Sequence, residues 1–484
     1  MGVNDIESPS LNAPLCDPVE QQWAHEAREL QPRHMMEGDV RPIRVRVRAT
    51  APAEHMNLVA TRGGKATRDF VAEALASTES AESLHQHGYP WSHAAQAYAA
   101  AAMQPAGSRL HGVDFLRAAM MLLGIVLHSA LSFVEGAPMA EWMYRDPQRS
   151  PWAGVMCVAL HVFRMPVFFV MAGVFAALIW RRSGALGLVR NRLRRIALPL
   201  IIGWLVLFPL IKWTVVWGIT VMQSEQDLPN MAGWTLLMVM NPWSDPNLAH
   251  LWFLYQLLLL CGAAVVVCGV HALLPERVRR ACSVAVAGLV TGRARWVRVP
   301  LLIAVSWWLL MKSASPGIDT SPALLPPLHV LAIYGVCFAA GWSLFVVPGA
   351  LDALRDWAWL RLAAGVVALL AAVVGSIGWF VNEGDARGKW FIVAQIACAA
   401  AMWLITFGSI GVAERIFRAP RRWVRWWCDA SYWIYLVHLP LCIAVVILMR
   451  GWEAPALVKM AAAIAVTTIL SALSFAAARA VVAR

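Results

Sequence analysis

The stretch RLHGVDFLRAAMMLLGIVLHS, Arg109 to Ser129, decides how the rest is read. From Val113 it continues as an apolar run to Val134, long enough for the ~20 residues that a bilayer core of ~30 Å requires. It nevertheless carries Asp114, Arg117 and His128. Charged side chains inside a span are costly and by default mark function. Arg117 and His128 are eleven residues apart, about three full turns, so they share one helix face ~16 Å apart along the axis. Asp114, three residues before Arg117, joins that face. A snorkelling Asp–Arg pair plus a satisfied core histidine is the bland alternative, and three ionisable residues on one stripe argue against it.

Outward from this segment the chain is apolar throughout. Of 484 residues, 59% are hydrophobic and 14% charged, with a mean hydropathy of +0.58. A soluble domain has about a quarter of its residues charged, so a soluble enzyme is excluded, and a disordered chain with it. Nine further apolar runs follow the first: Ala153–Trp180, Ile196–Met222, Leu251–Leu273, Val299–Met311, Leu328–Val347, Leu360–Val381, Trp390–Val412, Tyr432–Met449 and Leu457–Val482. The expected fold is an all-α polytopic membrane bundle of about ten transmembrane helices. The short fifth run is either re-entrant or extended upstream through Ala281–Val290.

The net charge of +12 would suggest nucleic acid on a soluble protein. Here its distribution points elsewhere. Residues 1–108 carry −4 and the remainder +16. The positive excess lies in the connections between spans two and three (Arg181, Arg182, Arg190, Arg192, Arg194, Arg195), four and five (Arg277, Arg279, Arg280, Arg293, Arg295, Arg298) and eight and nine (Arg415, Arg418, Arg421, Arg422, Arg425). The connection between three and four has no Lys or Arg but holds Glu225, Asp227 and Asp245. Positive-inside bias then puts both termini in the cytoplasm, with the bilayer and not nucleic acid as partner. Residues 1–108 show no sustained apolar period and no signal peptide. They read as a largely disordered cytoplasmic leader, with a start at Met103 as the alternative, and residues 109–484 form the membrane domain. The nine cysteines are scattered without a Cys-x-x-Cys, so neither a disulfide framework nor a metal site is expected.

The second run contains HVFRMPVFFVMAG, His161 to Gly173. Entering from the outside, His161 lies ~12 Å deep, near the depth of His128. Arg164, one turn below, needs an anionic partner, and Asp114 is too distant in depth to serve. Arg192 and Arg195 would share a helix face and suit phosphate oxygens, although the bland reading is topology alone. His250 and Trp252 open the fourth run. Tyr435 and His438 lie in the ninth, with His438 ~10 Å from its cytoplasmic start at Tyr432. Most of the 25 Trp fit an interfacial belt, Trp142 among them. Trp217, Trp234, Trp243 and Trp252 are candidates for a sugar-binding face.

These segments together resemble acyltransferase family 3 of membrane proteins. The matching features are Arg117 ten residues before His128, Arg192-x-x-Arg195 before Ile-x-x-Pro199, the stretch from Met165 to Gly173, His250-Leu-Trp-Phe-Leu254, and Ser431-Tyr-x-x-Tyr435-x-x-His438-x-Pro440. They occur in family order over residues 109–482. The resemblance implies an O-acyltransferase of the bacterial inner membrane, drawing on cytoplasmic acyl-CoA as donor substrate with no bound cofactor. The acyl group expected is succinyl, and the acceptor a periplasmic glucan or other envelope carbohydrate. It further implies His128 as general base or transient acyl carrier, Arg117 with Asp114 at the donor entrance or on the thioester oxygen, and Arg192 and Arg195 on the CoA phosphates. His161, Arg164, His250, Trp252, Tyr435 and His438 are expected to bind substrate, with Arg164 on the free carboxylate of a succinyl group. Acetyl transfer to lipopolysaccharide or exopolysaccharide, and a transporter without group transfer, are the competing readings. The latter predicts paired broken helices and an internal repeat, for which the sequence gives no convincing sign.

Overall fold

A computed structural model describes residues 111–135, 142, 144–223, 232–241, 243, 246–292, 295–417, 419 and 421–482. The leader and the charges at Asp245, Arg293 and Arg418 lie outside these residues. The described residues are helical, in the order α1 His111–Leu131, α2 Pro151–Arg192, α3 Leu198–Gln223, α4 Ala232–Met240, α5 Trp252–Leu273, α6 Glu276–Val290, α7 Arg295–Leu310, α8 Leu328–Val346, α9 Ala358–Val381, α10 Gly384–Ile416, α11 Arg422–Leu448 and α12 Ala456–Val482. The lone β-bridge among them joins Val134 to Ser150. Eight helical runs are long and apolar enough to cross a bilayer, and one of them, Pro151–Met222, is 72 residues long. It contains α2, a π-turn over Leu193–Ala197 and α3. The protein is thus an all-α polytopic membrane protein.

Two expectations change. The arginine-rich stretch after Trp180 is not a loop, because α2 continues through it to Arg192. Gly184 bends the helix there, with φ 65° and ψ −166°, a backbone state favourable only to glycine. The fifth run also does not extend upstream. Glu276–Val290 is a separate helix, and Trp296–Leu310 a shorter apolar one. Arg277, Arg279 and Arg280 in its first turns make α6 amphipathic, and ten of its fifteen residues are exposed.

Small residues set the closest helix approaches, since without a hydrophobic drive between spans packing does the work. A Cβ on Gly173 of α2 would overlap the backbone of Phe338 on α8, and one on Gly341 would overlap that of Val170. The start of α1 is capped from α10, where the Glu414 carboxylate accepts the Val113 N–H at 3.1 Å. The largest core cluster gathers residues from α1, α2, α5 and α8 to α11. α11 lies along α1, with the Cys428 thiol donating to the Asp114 carbonyl at 2.8 Å and Ser129 Oγ 3.5 Å from Cys442 Sγ. That alignment carries the last third of the chain onto the first helix.

Candidate active site

The site is assembled from α1, α2, α11 and the turn before α5. Pro440 stands inside α11 and has no N–H to give the carbonyl one turn earlier, that of Leu436. His250 Nε2–H donates to that carbonyl at 3.1 Å, and to the Tyr435 carbonyl at 3.1 Å. The Tyr435 hydroxyl returns a bond to the His250 carbonyl at 2.6 Å. His438 Nδ1–H donates to the carbonyls of Tyr435, at 2.8 Å, and Ile434, at 3.1 Å. Because a carbonyl only accepts, these bonds fix both tautomers. His250 Nδ1 and His438 Nε2 are left as buried nitrogens without partners.

His250 is held on a strained turn. Ala249 has φ 44°, the left-handed region that alanine rarely adopts. The Asn247 side-chain oxygen accepts the Ala249 N–H at 2.9 Å, and Trp204 Nε1–H holds the Asn247 carbonyl at 2.8 Å. Strain of this kind costs on the order of 1–3 kcal/mol and concentrates at functional sites.

The His128 ring lies 5.2 Å from that of His438, which lies 5.3 Å from that of His250. His161 donates from Nδ1 to the Cys157 carbonyl at 3.0 Å. Arg164 acts electrostatically on all four histidines and on Tyr334 and Tyr435. Its guanidinium passes beside Gly124, where a Cβ would stand 2.5 Å from Nη1 and 3.7 Å from His438 Nε2. Arg164 forms no ion pair with a described residue, and its Nε is buried without a partner. One cation, its Nε buried, therefore sits beside the histidines in the space that a side chain on Gly124 would fill. A buried cation without an acid is expensive to keep, and an anionic guest offsets that cost.

His128, His161, Arg164, His250, Tyr435 and His438 thus converge. The depth expected for His438 is corrected, because α11 begins at Arg422 rather than Tyr432. His438 is sixteen residues in, ~24 Å, which brings it level with His128. Asp114 and Arg117 do not join the cluster. They pair with each other at 3.5 Å at the opposite end of α1, where Arg117 lies over Phe175 at 5.9 Å and reaches the Cys428 thiol. Arg192 and Arg195 do not share an environment. The π-turn after Arg192 breaks the α register, so Arg192 is part-buried against Cys261 of α5, while Arg195 is exposed. Two Arg192 nitrogens, Nε and one Nη, are buried without partners. Trp252 does not face outward. It is buried against Tyr334 at 5.5 Å. Trp243 packs on Trp204 and Phe208, and Trp217 is exposed. The side chain of Trp234 lies outside the described ones.

Sequence reading missed three things. Gly124 makes room for Arg164. Trp142 is not merely interfacial, since its ring lies 6.0 Å from that of His128 and inclined by 26° to it. Asp146 and Lys459 form a fully buried ion pair at 2.7 Å. A lone lysine within the apolar run of α12 was the available signal for that pair. Among the described residues, no three His, Cys, Asp or Glu side chains are placed to hold a metal ion.

An acyltransferase domain family matches residues 110–476. Glucans biosynthesis protein C of Salmonella gallinarum is 24% identical over 343 residues, covering 69% of this chain and 83% of that protein. The protein of the same name from Salmonella paratyphi B matches with the same identity and coverage. No solved structure matches significantly.

Proposed function

The chain belongs to this family of membrane acyltransferases, and on that premise we propose that it moves a succinyl group from cytoplasmic acyl-CoA to a hydroxyl of a periplasmic glucan. The observation that carries the reading is Arg164, a half-buried guanidinium whose Nε is buried and unpartnered, with no acid paired to it among the described residues, beside the His128–His438 pair. A dicarboxylic acyl group brings the missing carboxylate, and a charge-assisted, two-pronged contact is what a guanidinium offers it. The relatives' name supports a glucan as acceptor.

In this reading the membrane domain crosses the inner membrane ten times. The 72-residue run counts as two spans and α7 as one, with both termini cytoplasmic in accordance with the arginine bias. His128 then lies toward the periplasm, and Arg117, Arg192 and Arg195 toward the cytoplasm. The two unpartnered Arg192 nitrogens suit a CoA phosphate, and Arg195 can add a second contact only if it turns inward. Arg117, oriented by Asp114, stands where the donor enters. At the other end His128 accepts the proton of the acceptor hydroxyl as its oxygen attacks the thioester carbon. The C–O bond forms, the C–S bond breaks, and the proton passes to the departing thiolate. A general base of this kind contributes about 10²–10⁴-fold.

The test compares glucan substituents in a deletion strain carrying the wild type or His128→Ala. Membrane levels of the two proteins should match and acylation should vanish with His128→Ala. Full acylation by that variant overturns the assignment.

A further inference from the structure

The buried surroundings of His128 lack one element that proton abstraction normally needs. When a histidine takes a proton, a carboxylate usually stabilises the cation that forms. Among the described residues no carboxylate is bonded to His128, and the charged or titratable groups acting on it are His438, Arg164, His250 and His161. Arg164 opposes a second positive charge. The His128 neighbour of opposite character is the face of Trp142, 6.0 Å away and near-parallel. That distance is at the reach of a cation–π contact, and tryptophan is its strongest partner.

Trp142 is held there by more than packing. Its Nε1–H donates to Ser132 Oγ at 2.8 Å. The Ser132 carbonyl accepts the Asp146 N–H at 2.9 Å. The Asp146 carboxylate meets Lys459 Nζ at 2.8 and 2.7 Å, and both side chains are fully buried. Lys459 also donates to Gln148 Oε1 at 2.9 Å and to the Arg450 carbonyl at 3.3 Å. The connection between α1 and α2 is in this way bolted to α12. A buried ion pair is weak evidence for stability, because desolvation consumes most of the attraction, and fixing one geometry is the better-attested use.

We propose that the indole face of Trp142 stabilises His128 while it carries the acceptor's proton, and that the Asp146–Lys459 pair positions the indole for this. The proposal rests on His128 being the base. In the step, the hydroxyl O–H breaks, His128 holds the proton as a cation under Trp142, and the CoA thiolate removes it. The indole gains and loses nothing.

The test is site-specific replacement of Trp142 by mono-, di- and trifluorotryptophan in the full-length protein. Fluorine drains the ring face and leaves the shape nearly unchanged, so a packing role would not respond. kcat should fall stepwise, about tenfold in total, with KM for the acceptor constant. A flat series with an inactive His128→Ala overturns the role of Trp142 alone. An active His128→Ala overturns the base and this role together. For the ion pair, Lys459→Met leaves a bare buried carboxylate and is expected to misfold, so the readout is Asp146→Leu with Lys459→Met. The double variant should fold and lose kcat at constant KM, and a folded double variant with wild-type kcat overturns the positioning role.

Discussion

Two interiors of this protein invite comparison, the cluster where α1, α2 and α11 meet the His250 turn, and the packing of α7 against α10. Both bury polar side chains at membrane depth. Between α7 and α10 several are paired, although Trp307 Nε1 and Thr406 Oγ1 have no partner. Gln395 donates to the Leu310 carbonyl at 2.8 Å and accepts from the Gly317 N–H at 3.1 Å, and Trp403 Nε1–H donates to Ser306 Oγ at 2.8 Å. In the cluster, ring nitrogens of His128, His250 and His438, and Nε of Arg164, have no partner. Satisfied buried polar groups hold a fold together, whereas unsatisfied ones impose a cost that a ligand relieves. The difference teaches that polarity at depth does not by itself mark a site. What sets the cluster apart is that its unpartnered atoms are imidazole and guanidinium nitrogens gathered at one place.

The comparison breaks most sharply at Arg164. Arg164→Leu removes a half-buried cation with no paired acid to strand, so thermal stability in detergent should hold or rise. Succinyl transfer should fall about 10–100-fold, the worth of a charge-assisted hydrogen bond of roughly 1.5–3 kcal/mol, and acetyl transfer much less. Equal loss of both removes the carboxylate from the argument. Gln395→Leu should behave oppositely. It strands the Gly317 N–H, while the Leu310 carbonyl keeps its bond from the Ser313 N–H, and should cost about 1–3 kcal/mol in a thermal melt with unchanged turnover per folded molecule. The smallest effect is expected at Ala249→Gly, which relieves the left-handed alanine. Its release of about 1 kcal/mol should raise the midpoint slightly while loosening His250, read as a modest rise in acceptor KM.

Much of this division is legible in the sequence, for a physical reason. Run length reports spans, and an ionisable residue within a run reports a cost, so His128, His161, Arg164, His250 and His438 stand out from the apolar runs alone. The i,i+3 pair of Asp114 and Arg117 is readable because helix geometry alone brings them together. What periodicity cannot supply is which helices meet. That His438 faces His128 depends on α11 lying along α1, more than 300 residues away in the chain, and on where α11 begins. The Arg192–Arg195 face fails because a π-turn interrupts the assumed 100° step. The pairing of Asp146 with Lys459 is hidden for a related reason, although the lone lysine is visible in its run. A charge near a span end has snorkelling as its default, and only tertiary contact shows that these two turn inward instead.

The bolt between Lys459 and Asp146 also sets a schedule. His128 leaves the ribosome with the first span, but His438 and Lys459 belong to the last two helices. Every earlier stage of synthesis therefore lacks part of the histidine cluster and one half of the buried ion pair. On the function proposed above, transfer waits for α12 to dock, so a chain aborted before it is inert rather than a source of misdirected acylation.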